Sequence, residues 1–89
     1  MRHRATAGFW RRFEALPEPV QRLARKNHRL LEADSRHPSL HFKKLSGHAP
    51  PLWSVRIGRD YRALGIEKGS EVFWFWIGPH VAYDRLIKG

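Results

Sequence analysis

The side chains able to do chemistry gather in the second half of this 89-residue chain, from Leu52 to Leu86. Two arginines, Arg56 and Arg62, flank a Gly-Arg-Asp turn, and His80 and Tyr83 follow a long apolar run. Histidine ordinarily titrates near neutrality, so His80 is the natural proton donor or acceptor of the group. Arginine stays charged at any working pH, and its planar fork of N–H donors fits a phosphate or carboxylate. Tyr83 adds a hydroxyl and a ring face that can stack on a base. Lys43, Lys44 and Arg59 read as further contacts to a phosphate backbone, of a kind that salt would weaken.

Metal chemistry has little to stand on. The chain has no cysteine, which excludes a disulfide framework and a thiolate metal site. His37 and His41 lie four apart, but Pro38 between them breaks the helix that would place both on one face. No metal and no small-molecule cofactor are expected.

The elements that must position these residues follow from periodicity. Trp53, Val55 and Ile57 alternate with Ser54 and Arg56, a half-buried strand that turns Arg56 away from the core. Gly58-Arg59-Asp60 is a turn and Tyr61 to Ile66 the returning strand. Arg62 shares its parity with the apolar Leu64 and Ile66. Either those two lie on the open face or a bulge near Asp60 resets the strand; an ion pair to Asp60 or Glu71 is the structural alternative. After a second turn at Lys68-Gly69-Ser70, the strand Glu71 to Ile77 is apolar on both faces, as a central strand would be. Alternation puts Trp74 and Trp76 on one face and Phe73, Phe75 and Ile77 on the other. Gly78-Pro79 ends that strand, and the tail from His80 is a helical turn or irregular.

The first half reads as helix. Phe9, Trp10, Phe13 and Leu16 recur at helical spacing behind Thr6, a suitable N-cap. A second helix runs from about Pro17 to Ala33, opened by its prolines. It has Val20, Leu23, Ala24, Leu30 and Leu31 on one side and Arg22, Arg25, Lys26 and Arg29 on the other. Asn27 falls on the buried stripe, where a polar partner at the helix–sheet seam is the simplest reading. Residues 2–6 have room for a brief edge strand at most, and Leu40 to Leu45 is a short strand or an extended lead-in. The expected fold is α+β: two N-terminal helices on one face of a small, three- or four-stranded, mostly antiparallel twisted sheet, all in a single domain.

Composition narrows the partners. Seventeen Lys and Arg against eight Asp and Glu give a formal charge of +9, a field that attracts polyanions. The basic face of the second helix is either solvated or a nucleic-acid contact. Hydrophobic residues make up 42% of the chain, with four Trp and five Phe, so a folded domain is favoured over a disordered basic tail. Val72 to Ile77 is far shorter than the roughly 20 apolar residues of a membrane helix. MRHRATAGFW lacks the apolar stretch of a signal peptide. A cytoplasmic protein without a membrane partner is the expectation.

The order helix, helix, KKLSG, WSVRIGRDYRALG, VFWFWIGPHVAYDRL resembles the RelE/ParE toxin superfamily over nearly the whole chain. The resemblance implies a toxin of a type II toxin–antitoxin pair, neutralised by an antitoxin whose acidic segment wraps it. It favours the RelE branch, metal-independent endoribonucleases that cut mRNA on the ribosome. Members of the ParE branch inhibit DNA gyrase without nuclease chemistry, and a toxin fold that only binds RNA or protein is a third reading. On the RelE pattern Arg56 and Arg62 match basic strand positions, His80 the histidine or arginine past the last strand, and Tyr83 the terminal aromatic residue. Ser54 departs from the pattern, standing where a second strand lysine is found. The reaction so implied needs a base for the 2′-hydroxyl, an acid for the leaving 5′-oxygen and cations at the phosphorus.

Overall fold

The computed structural model describes residues 1–88. Its elements are β1 (Arg2–Ala5), α1 (Ala7–Glu14), α2 (Glu18–Ala33), a 3-10 turn at Pro38–Leu40, β2 (Lys43–Leu45), β3 (Leu52–Ile57), β4 (Tyr61–Lys68), β5 (Glu71–Pro79) and α3 (His80–Lys88). Thr6 caps α1 by accepting from the Phe9 amide at 3.2 Å, which satisfies one otherwise orphaned donor. Pro19 lies in the first turn of α2, where a missing N–H costs nothing.

All five strands form one mixed sheet in the order β1-β5-β4-β3-β2. β2 to β5 are antiparallel neighbours, whereas β1 runs parallel to β5. The sheet therefore has one strand more than periodicity predicts. A four-residue polar strand carries no hydrophobic pattern; the Arg4–Glu71 ion pair and the Trp74 indole N–H, donating to His3 Nδ1 at 3.1 Å, hold it instead.

α1 and α2 cover one face of the sheet. Phe13, Ala24, Leu31 and Leu40 pack there against Val55, Ile57, Ala63, Val72, Trp74 and Ile77. The opposite face is not left open along its whole length. α3 lies across part of it and encloses a smaller core of Leu64, Trp76 and Tyr83, with Phe75, Ala82 and Ile87 around it.

That second core resolves the two questions of parity. Leu64 sits on the far face with Arg62, and no bulge occurs near Asp60. The irregularity lies between Leu64, which pairs with Trp76, and Gly65, which pairs with Trp74. Phe75 is the extra residue, so the two tryptophans face opposite ways: Trp74 into the main core and Trp76 under α3. Strict alternation fails because a bulge shifts every following side chain to the other face. Gly65 makes room for the rearrangement. A Cβ there would lie 2.5 Å from Val72 Cγ1 and 3.0 Å from the Trp74 ring.

Candidate functional site

Arg56 and Arg62 are directly opposed across β3 and β4, and Arg62 is opposed in turn by Gly78 on β5. Like charges facing each other weaken an antiparallel pair, so this row calls for a counter-charge. Among the described residues no carboxylate supplies one; Glu71 is taken by Arg4. The guanidinium groups turn instead to carbonyls of the β3–β4 turn. Arg56 Nε donates to the Gly58 carbonyl at 2.9 Å, and an Arg62 terminal nitrogen donates to those of Tyr61, Arg59 and Gly58 at 2.8, 3.3 and 3.4 Å. Carbonyl oxygens carry partial charge only, so two full positive charges remain for an anion to neutralise. Gly58 itself must be glycine, having φ 63° and Leu23 Cδ2 2.6 Å from where a Cβ would stand.

The backbone under Arg56 is held from behind. Asn27, buried in α2, donates its side-chain amide to the Arg56 carbonyl at 2.8 Å. This is the polar partner at the helix–sheet seam. Because β2 pairs with β3 only as far as Ser54, no strand lies along that edge of β3 beyond it, and Asn27 bonds the chain where pairing with β2 has stopped.

The next row on the same face is Lys43, Ser54, Leu64 and Trp76. Lys43 is exposed at the sheet edge, while Ser54 is only 2% exposed. Lys44, one residue on, points to the helix side. It lies over the Trp53 ring at 5.5 Å with its Nζ 3.8 Å from Glu67. The period of two thus separates the lysine pair, and only Lys43 shares a face with Arg56 and Arg62. Arg59 is exposed in the turn beside them.

His80 is the first residue of α3, and its backbone N–H donates to the Asp60 carbonyl at 2.7 Å. The start of the helix is thereby fixed to the turn that accepts from Arg62. The imidazole is exposed, with Nε2 3.4 Å from Asp84 Oδ2 one helical turn on. A carboxylate in that position orients the ring. Asp84 escapes notice in the sequence because the His-x-x-x-Asp spacing means nothing until the tail is known to be helical. Tyr83 is 5% exposed, packed with Leu64 and Trp76 and stacked 6.5 Å behind His80. A ring so enclosed has no face to offer a base, which corrects the stacking role its type allows.

Two features lie elsewhere. A cavity of about 450 Å³ between α1, α2 and the sheet is lined by core side chains such as Phe9, Phe13, Val55 and Trp74 together with Asn27, Arg25 and Arg29 of α2, and Arg56, Arg62, His80 and Tyr83 are not among its lining. Burial, followed by the nearby chain amino group, holds His3 below the usual histidine range. Among the described residues, no group of three or more His, Asp or Glu could hold a metal, and no helix is long and apolar enough to cross a membrane.

Comparison with solved structures finds the same fold in archaeal and bacterial proteins. A RelE–RelB complex from Pyrococcus horikoshii OT3 matches with a TM-score of 0.66 at 21% identity, over 88% of this chain and 92% of that one. A RelB–RelE antitoxin–toxin complex from Methanococcus jannaschii gives 0.69 at 15% identity, over 92% and 96%. A copper-bound point mutant of a toxin from Helicobacter pylori gives 0.63 at 17% identity, over 92% and 97%. A search of curated protein sequences finds no match. The family model described as the ParE-like toxin domain, however, matches residues 18–85, from the start of α2 into α3 and across every strand but β1. The chain belongs to the RelE/ParE toxin superfamily as a member with a ParE-like toxin domain.

Proposed function

We propose that this toxin-domain protein is a metal-independent endoribonuclease that cleaves mRNA on the ribosome in the cytoplasm and so stops translation. The observation that supports the reading is the facing pair Arg56 and Arg62, uncompensated by any carboxylate of the described residues and one turn away from an exposed histidine. In the reaction, a base removes the 2′-hydroxyl proton and that oxygen attacks the adjacent phosphorus. The 5′-oxygen departs with a proton from an acid, leaving a cyclic phosphate. His80 serves as acid–base, oriented by Asp84. Arg56 and Arg62 swing from the turn carbonyls onto the phosphate oxygens and neutralise the charge that builds there. Lys43 and Arg59 hold the flanking backbone, and Tyr83 assists by packing behind the His80 ring.

The partner that neutralises the toxin is an antitoxin with an acidic wrapping segment, as the basic surface and the antitoxin-bound relatives in two of the matched structures favour.

A second reading has its own observation. Ser54 is buried and supplies no cation, Tyr83 is buried, and the family model is ParE-like. A non-enzymatic toxin that inhibits DNA gyrase through the same face fits those three facts. Induced expression separates the readings. Growth arrest with mRNA cleavage, lost in both His80→Ala and Arg62→Ala, is the expected result. Arrest with gyrase-dependent DNA breaks and intact mRNA selects the second reading, and undiminished cleavage in both variants overturns the residue assignment.

A further inference from the structure

α2 carries a charge pattern that the site does not use. From Pro19 to Leu31 it has no acidic residue, and Arg22, Arg25, Lys26 and Arg29 recur at intervals of three and four. That spacing places them along one side of the helix, and all four are exposed. The acids at the two ends are already engaged locally, Glu18 with Arg22 at 2.7 Å and Glu32 with His28 at 3.4 Å. Arg25, Lys26 and Arg29 form no ion pair among the described residues. Arg25 is also held in place, its guanidinium 4.8 Å from the centre of the Phe13 ring of α1. A guanidinium stacked in this way keeps its N–H edges free for phosphate oxygens and loses less freedom on binding than an unconstrained one.

The direction of this stripe matters as much as its charge. α2 covers one face of the sheet, and Arg56 and Arg62 lie on the other. With the molecule 26–33 Å across, a single strand seated on Arg56 and Arg62 does not also lie along α2. The excess charge is divided between two opposed surfaces, and cleavage of one strand requires only one of them.

We infer that the outer side of α2 is a second binding surface, for the phosphate backbone of a folded, double-helical RNA, which carries the protein while the opposite face takes a single strand. The choice of RNA over other polyanions rests on the ribonuclease reading; the existence of the surface does not. Four cations spaced along a rigid helix suit a backbone with regularly spaced phosphates. The contacts are to phosphate, so binding would be insensitive to sequence and steeply salt-dependent.

The test measures binding of the full chain to a labelled RNA duplex, and to a DNA duplex of the same sequence, over a range of salt. Arg25→Gln/Lys26→Gln/Arg29→Gln should lower RNA-duplex affinity by about tenfold or more and flatten the salt slope by roughly one per contact removed. A control that removes equal charge elsewhere, Lys68→Gln/Arg85→Gln/Lys88→Gln, should change affinity by about twofold at most. Glutamine keeps good helix propensity at exposed positions, and thermal unfolding of each variant checks the fold. Unchanged binding in the α2 variant, an equal loss in the control, or tighter binding to the DNA duplex would each overturn the inference. Duplex binding is read without cleavage. If the α2 variant loses it while wild type cuts no mRNA, the surface stands and the nuclease reading falls.

Discussion

Arg56 and Arg62 face each other across β3 and β4 and donate to the same Gly58 carbonyl. Their repulsion costs roughly 0.2–1 kcal/mol, and the hydrogen bonds to a solvent-accessible turn return a similar amount. Neither residue is therefore held by stability alone. Arg62→Met should change the free energy of unfolding by less than about 1 kcal/mol in either direction. If the guanidinium meets developing charge on phosphorus, the same change should reduce RNA cleavage by roughly 10²-fold or more. Urea unfolding alongside a cleavage assay checks the split. A loss of stability matching the loss of activity would make Arg62 structural.

Asn27 supports the same strand from the other side. Truncating it leaves the Arg56 carbonyl unpaired at the seam, a cost of about 1–3 kcal/mol for a buried group. Asn27→Ala should accordingly lower the urea midpoint with an unchanged m-value. Asn27→Asp should do the same, since a carboxylate cannot donate to a carbonyl. Full stability in both would mean that another donor replaces the amide.

How much of this was legible in the sequence divides by the length of the signal. The spacing predicts a helix from about Pro17 to Ala33 and α2 runs Glu18–Ala33, and WSVRI faces as its alternation requires. Long periodic segments state their own geometry. β1 could not be counted on, because four polar residues say nothing about a parallel neighbour far along the chain. Nor could α3 be foreseen as a cover, since its apolar residues find their partners, Leu64 and Trp76, only after the bulge at Phe75 has turned Trp76 over. The site was readable residue by residue, but not its burial: that Tyr83 is enclosed and that Lys44 faces away from Lys43 depend on register.

The bulge carries a prediction of its own. Gly65→Ala would place a methyl 2.5 Å from Val72 Cγ1 and 3.0 Å from the Trp74 ring. Neither neighbour can retreat within the main core, so the expected cost is about 1–3 kcal/mol. Gly69→Ala, by contrast, meets nothing within 4 Å and is penalised only by its φ of 60°. Thermal unfolding of the two variants should show Gly65→Ala as the more damaging. The reverse order would mean that β5 shifts at the bulge to admit the methyl.

His3 makes stability depend on pH. Its pKa in the folded state is held below the ordinary value, first by burial and then by the chain amino group and His28, with Glu32 opposing. Its Nδ1 also accepts from Trp74 and cannot do so once protonated. Between the lowered pKa and the ordinary one near 6.5, the unfolded chain binds more protons, so stability falls with falling pH across that window and is flat above it. His3→Gln should remove this part of the acid sensitivity. The difference in urea midpoint between wild type and variant should therefore narrow as pH drops from about 7.5 towards 5. A constant difference would show that His3 titrates alike in both states.

Tyr83 separates two kinds of contribution to the site. Its ring fills the small core with Leu64 and Trp76 and backs the His80 imidazole, so its removal should be felt through packing. Tyr83→Phe keeps the ring and loses only the hydroxyl; it should retain RNA cleavage within about tenfold, because a positioned proton-transfer group would cost roughly 10²–10⁴. Tyr83→Ala opens a cavity under α3 and should destabilise by about 3–5 kcal/mol, as truncation of a buried aromatic does. Loss of that packing frees the start of α3, and with it the bond from the His80 N–H to Asp60, so activity should fall together with stability. A Tyr83→Phe variant that folds normally but no longer cuts RNA would instead assign the hydroxyl a direct part in the chemistry.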